Sequence, residues 1–115
     1  MQCDGDLNYA PAALWTAAHH KIPLLLIVHN NRAYHAEVML VQRTAARRGR
    51  GNDMVDIGNV IRDPAPDYAK IAQGYGLYAE GPIQDPAALA PALERALARV
   101  RAGEPALLDV ISQPR

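Results

Sequence analysis

The residues best suited to chemistry in this chain are an Asp-Gly-Asp run at positions 4–6 and an Asn-Asn pair at positions 30–31. From Asp4 to Asn31 is 27 residues, a spacing that brings a hard cation and a diphosphate together at the ends of two neighbouring strands. Magnesium takes oxygen ligands in near-octahedral geometry and is usually held by one or two protein groups plus phosphate oxygens and water. Asp4 offers a carboxylate, Asn31 an amide oxygen, and the backbone carbonyl of Ala33 completes the protein share. Gly5 lets the backbone approach closely, and the N–H groups of Gly5, Asp6 and Leu7 at a helix start can cradle the diphosphate. Taken singly, each piece has a plainer reading, because Asp-Gly is a common turn and Asn-Asn a common loop after a strand.

Other chemistry-bearing residues carry less. His19, His20, His29 and His35 invite a zinc site, but adjacent histidines on a helix point apart, and no Cys pair or HExxH pattern accompanies them. Arg43, Arg47, Arg48 and Arg50 form a basic stretch without interleaved aromatic residues, which reads as a solvated helix end rather than an RNA surface. Tyr9 and Trp15 read as core or interface residues of the first helix.

The elements that must position Asp4 and Asn31 alternate between strand and helix. A strand stub at residues 1–3 precedes a helix over 7–20, with Asp6 or Asn8 as N-cap and Pro11 inside the first turn, where its missing N–H does no harm. Residues 23–29 are an apolar run without alternation, the mark of a parallel strand covered on both faces and central in its sheet. A helix over 36–48 is expected to fray into the arginine-rich stretch. Residues 51–66 carry no sustained period and form an irregular excursion of the kind that covers sites, docking through apolar residues of 54–61. Asp67 then caps a helix over 68–75 closed by Gly76, and a short strand follows at 77–80. Asp85-Pro86 opens a helix in which Leu89, Leu93, Leu97 and Val100 share a face, closed by Gly103 before a buried strand at 106–111. This order predicts an α/β fold: a partial doubly wound, mainly parallel sheet flanked by helices. Ligands in such sheets bind beyond the C-terminal ends of strands, where both Asp4 and Asn31 fall.

Composition narrows the partners. Twelve basic side chains balance twelve acidic ones, so the net charge favours neither nucleic acid nor an anionic membrane. Cys3 is the only cysteine, which excludes an intrachain disulfide and points to a reducing, cytoplasmic setting. The longest unbroken apolar run, residues 22–28, is far short of the roughly 20 residues of a membrane span. The length suits one domain.

Together the motif pieces resemble a known family. Asp4-Gly5-Asp6-Leu7-Asn8-Tyr9, then Ala13-Leu14-Trp15-Thr16-Ala17-Ala18, Ile22-Pro23 and Asn30-Asn31 are similar to the cofactor motif of the thiamine diphosphate-dependent decarboxylase and acetolactate synthase superfamily, benzoylformate decarboxylases above all. The similarity continues through Asp67-Tyr68-Ala69 and Gly74-Tyr75-Gly76 to the last strand. Cys3 departs from the pattern, standing where the family's first glycine is expected, and a side chain there is expected to crowd the turn.

The resemblance implies thiamine diphosphate and magnesium as cofactors and a 2-oxo acid as substrate. It makes Asp4, Asn31 and the Ala33 carbonyl the metal ligands, with Gly5, Asp6, Leu7, Asn31 and Tyr34 on the cofactor. Residues 34–39 further resemble a pyruvate decarboxylase segment in which a glutamate three residues after the tyrosine faces the reacting centre, which makes Glu37 the catalytic acid. A Glu in the first turn of a helix also has a plain electrostatic reason to be there. By the same resemblance, residues 1–115 are the C-terminal portion of the diphosphate-binding domain, with the pyrimidine-binding and central domains lying elsewhere, in a homo-oligomer or on a companion chain. Such a portion is expected to be inactive alone and prone to self-association. The competing readings are an acetolactate synthase-like transferase fragment and a non-catalytic α/β module that binds a phosphate ligand.

Overall fold

A computed structural model describes residues 1–112. Four strands, β1 (Gln2–Cys3), β2 (Leu25–Asn30), β3 (Tyr78–Ile83) and β4 (Ala106–Ile111), form one sheet in the order β1-β2-β4-β3, and every pairing is parallel. Five helices connect them: α1 (Asp4–Tyr9), α2 (Ala13–His19), α3 (His35–Arg47), α4 (Tyr68–Gly74) and α5 (Pro86–Arg101). Neighbouring residues of one strand face opposite sides, so Leu107 and Leu108 enter different cores. Leu107 and Val28 pack with Leu7, Leu14, Tyr68, Ala69 and Ala72 of α1, α2 and α4. Leu108 and Ala106 pack with Ala92 and Ala96 of α5. Helices on both faces of a parallel sheet are the expected doubly wound α/β arrangement, with β2 and β4 at its centre.

The first helix differs from its sequence reading. It starts at Asp4, directly after β1, and neither Asp6 nor Asn8 caps it, since both lie inside it. The early start puts Pro11 well past the first turn, where a continued helix would lose a donor and bring the ring against the Leu7 carbonyl. The chain therefore closes α1 with Ala10 N–H on the Leu7 carbonyl and begins α2 two residues after Pro11. Tyr9 is 78% exposed and Trp15 is exposed too, so neither belongs to the core.

Beyond β2, α3 does not fray. Gly49, at φ +61°, ends it, and Arg50 N–H returns to the Ala45 carbonyl at 2.9 Å. No residue of α3 is buried, and its apolar Leu40 is 65% exposed. The excursion over 51–66 docks by one antiparallel bridge, Ala33 to Val60. The capped helices match expectation, since Asp67 accepts from Lys70 N–H and Asp85 from Ala87 N–H, each at 2.9 Å. β3 is longer than expected, reaching Ile83 through an irregularity after Glu80 where Gly81 lies against Asp109. No helix among the described residues is long and apolar enough to cross a membrane.

Candidate functional site

Parallel pairing of β1 with β2 sets Cys3 beside His29, so Asp4, Asn30 and Asn31 emerge at the same end of the sheet. Asp4 is fully buried, and neither carboxylate oxygen has a hydrogen-bond partner. Burial pushes its pKa above the ordinary carboxylate value, while the backbone N–H groups of Gly5, Arg32 and Asn31 oppose that shift without closing a bond to either oxygen. The carboxylate therefore looks onto the backbone of the Asn31 turn. An orphaned buried carboxylate is costly unless a donor or a cation satisfies it.

The turn itself is tightly specified. Asn31 Oδ1 accepts from Ala33 N–H at 3.0 Å, and Arg32 between them sits at φ +58°, a left-handed conformation that a non-glycine residue adopts only when its surroundings hold it. Two bonds supply the hold from the excursion: Ile61 N–H to the Arg32 carbonyl at 2.7 Å and Tyr34 N–H to the Asn59 carbonyl at 2.8 Å. The bridge pairs Ala33 with Val60 without using the Ala33 carbonyl, which accepts no hydrogen bond among the described residues. The set of Asp4 carboxylate, Asn31 amide oxygen and Ala33 carbonyl is all hard oxygen and fits a magnesium ion.

A pocket of ≈ 260 Å³ opens beside this turn, with Gly5, Asp6, Asn31, Tyr34 and Glu37 on its walls. Gly5 is required there for a reason that sequence reading did not give. A Cβ on it would lie 2.7 Å from two atoms of the Tyr34 ring, so the aromatic ring itself makes the close approach. Tyr9 packs against the same ring, centroids 5.8 Å apart. The first N–H groups of α1 have no intrahelical acceptor, and Cys3 at the N-cap offers no side-chain bond, so those donors are open to an anion. Cys3 has extended backbone angles that any residue adopts, and its exposed side chain leaves the turn uncrowded. Glu37 stands in the first turn of α3, exposed and free of ion pairs among the described residues. Leu7 does not reach the site as expected: its side chain is buried in the core, and because α1 starts at Asp4 its N–H falls to the Cys3 carbonyl as the first intrahelical bond.

The histidines scatter. His19 stacks on Trp15 and meets His20 edge-on at the surface of α2, His29 lies near Ser112, and His35 alone reaches the pocket wall. Three residues at the site carried no role in the sequence reading. Tyr68 donates to the Asp4 carbonyl at 3.1 Å, and Asn30 donates to Asp109 at 2.9 Å, both bonds buried. The available signal was a charged residue inside the otherwise apolar run of β4.

Comparison with known proteins shows the family. Residues 1–110 match the family model of the C-terminal TPP-binding domain of thiamine pyrophosphate enzymes. Benzoylformate decarboxylase of Pseudomonas aeruginosa is 32% identical over 111 residues, covering 96% of this chain and 18% of that protein. The acetolactate synthase-like large subunit IlvX of Mycobacterium tuberculosis is 30% identical over 77 residues, 67% of this chain and 15% of that protein. Among solved structures, the thiamine diphosphate-dependent 4-hydroxybenzoylformate decarboxylase of Rhodococcus jostii RHA1 superposes with a TM-score of 0.70 at 28% identity, covering 96% of this chain and 19% of that one. The chain thus spans less than a fifth of the length of each of these proteins.

Proposed function

Because the chain belongs to the C-terminal TPP-binding domain family of thiamine pyrophosphate enzymes, we propose that it is the magnesium- and diphosphate-holding portion of a 2-oxo acid decarboxylase or carboligase. The observation that carries this reading is the Asp4 carboxylate, fully buried and unpaired on both oxygens beside the Asn31 turn. Asp4, Asn31 and the Ala33 carbonyl hold the metal, while the N–H groups of Gly5 and Asp6 take the diphosphate and Tyr34 flanks it. Thiamine diphosphate, when bound, supplies the electron sink that lets a 2-oxo acid lose its carboxylate. The protein's share is to bind, orient and manage protons. Glu37, on the pocket wall with an unpaired carboxyl, is placed to exchange a proton with the substrate, which favours decarboxylation over transfer.

Catalysis in this reading also needs a pyrimidine-binding and a central domain, so residues 1–115 by themselves are expected to turn over nothing and to act together with such domains, whether on the same polypeptide, in a homo-oligomer or on a companion chain. The chain's coverage of less than a fifth of each relative supports this division.

Calorimetry tests the reading. Thiamine diphosphate is expected to bind only with Mg2+ present, and Asp4→Asn to abolish that dependence while the fold persists. Equal affinity for ADP and thiamine diphosphate would favour a general phosphate-binding module instead. Robust decarboxylation of 2-oxo acids by the purified chain would overturn the division of labour.

A further inference from the structure

Asp109 lies in the middle of the sheet, on central strand β4, with no exposure to solvent. A carboxylate there is unfavourable by several kcal/mol relative to water unless other groups satisfy it, and an apolar residue would serve the core better. Something other than packing accounts for it. Its Oδ1 accepts from Asn30 Nδ2 at 2.9 Å, across 79 residues of sequence. The other end of the same amide, Asn30 Oδ1, accepts from Arg32 N–H at 3.3 Å. Asn30 is only 2% exposed. Both ends of its amide are engaged, and reversing it would set its carbonyl against the carboxylate and its NH2 against an N–H.

We propose that Asp109, acting through Asn30, is a positioning residue for the metal-binding turn: the clamped amide of Asn30 holds Arg32 N–H in place and so fixes where Asn31 and Ala33 present their oxygens. The proposal rests on the reading of Asp4 and Asn31 given above. It accounts for the left-handed Arg32, at φ +58°, which needs restraint from both sides. The 59–61 segment restrains the carbonyl of Arg32 and the amide of Tyr34, and the Asn30–Asp109 pair restrains the amide of Arg32.

The surroundings of Asp109 are close-packed. Gly81 lies so close that a Cβ on it would be 2.6 Å from Asp109 Cβ and 2.8 Å from its carbonyl oxygen, so β3 approaches the backbone of Asp109 as only a glycine allows. The other oxygen of the carboxylate, Oδ2, is buried without a hydrogen-bond partner, so the bond to Asn30 is the one that holds the carboxylate among the described residues. Outer groups that orient metal ligands in this way typically change metal affinity by roughly 10- to 100-fold when removed.

The experiment compares the whole chain with Asp109→Ala, Asp109→Asn and Asn30→Ala. Asn at 109 keeps an oxygen that can accept from Asn30 Nδ2, so it serves as the rescue. In the metal-free chain, amide hydrogen exchange at Arg32 and Ala33 is expected to quicken in Asp109→Ala and Asn30→Ala, to stay unchanged in Asp109→Asn, and to leave α5 amides unaffected. Mg2+-dependent thiamine diphosphate binding, read by calorimetry, is expected to weaken about tenfold in the same two variants. Exchange that quickens no more at Arg32 and Ala33 than in α5 would show a merely structural role and overturn the proposal. So would an Asp109→Asn chain as impaired as Asp109→Ala. If Asp109→Ala does not fold, Asn30→Ala, which leaves β4 intact, decides by the same criteria. A wild-type chain that binds neither magnesium nor thiamine diphosphate would sink the cofactor reading, and the exchange data would still decide whether Asp109 governs the turn.

Discussion

The Tyr68 hydroxyl donates a buried hydrogen bond to the Asp4 carbonyl, tying the start of α4 to the start of α1 across 64 residues. Burial first, and then the nearby Asp4 and Asp109 carboxylates, push the phenol well above its ordinary pKa, so the donor keeps its proton throughout the physiological range. Tyr68→Phe retains the ring and deletes only the bond. It is expected to destabilise the chain by about 1 kcal/mol. In urea unfolding the midpoint should fall while the slope stays constant. An unchanged midpoint would mean that the bond contributes nothing net.

Asp67, one residue earlier, gives a pH-dependent prediction. Its carboxylate caps α4 by accepting from Lys70 N–H, which is the chief reason its pKa lies below the ordinary 3.8. A group whose pKa is lowered by folding stabilises the folded state above its unfolded pKa. That contribution disappears as pH falls through the folded value. Asp67→Ala is therefore expected to lose about 1 kcal/mol near neutrality, and the difference from wild type should shrink on acidification below 3.8. A deficit that stays constant down to acid pH would contradict the charged cap.

The outward side of α3 predicts association. Met39, Leu40 and Val41 are all exposed along a helix with no buried residue, and among the described residues no strand pairs with the outer side of β1. Apolar surface and open strand edges of this kind drive self-association. Light scattering should find a mass that rises with concentration, and Leu40→Glu should lower it toward that of the monomer. A clean monomer for the unaltered chain would refute this.

Much of the architecture was legible in order along the chain, because the signals that set it are local. The caps at Asp67 and Asp85 operate within three residues, and the apolar run of β4 marks a strand buried on both faces wherever its neighbours come from. The placement of Asp4 and Asn31 at one end of the sheet follows from the parallel, alternating order alone. The start of α1 is not legible locally because it depends on β1 pairing with β2, a contact between residues 26 apart. Once that pairing starts the helix at Asp4, Pro11 becomes a break instead of a harmless first-turn residue.

By itself, the sequence determined which side chains could meet a cation and a diphosphate, since residue type and strand order suffice for that. Only the tertiary structure decided how those groups are held. Tyr68 beneath Asp4, Asp109 behind Asn30 and Val60 against Ala33 are contacts between distant segments. No period or cap encodes such contacts. The first two exist because the packed sheet brings buried polar groups together and leaves them no water to bond instead.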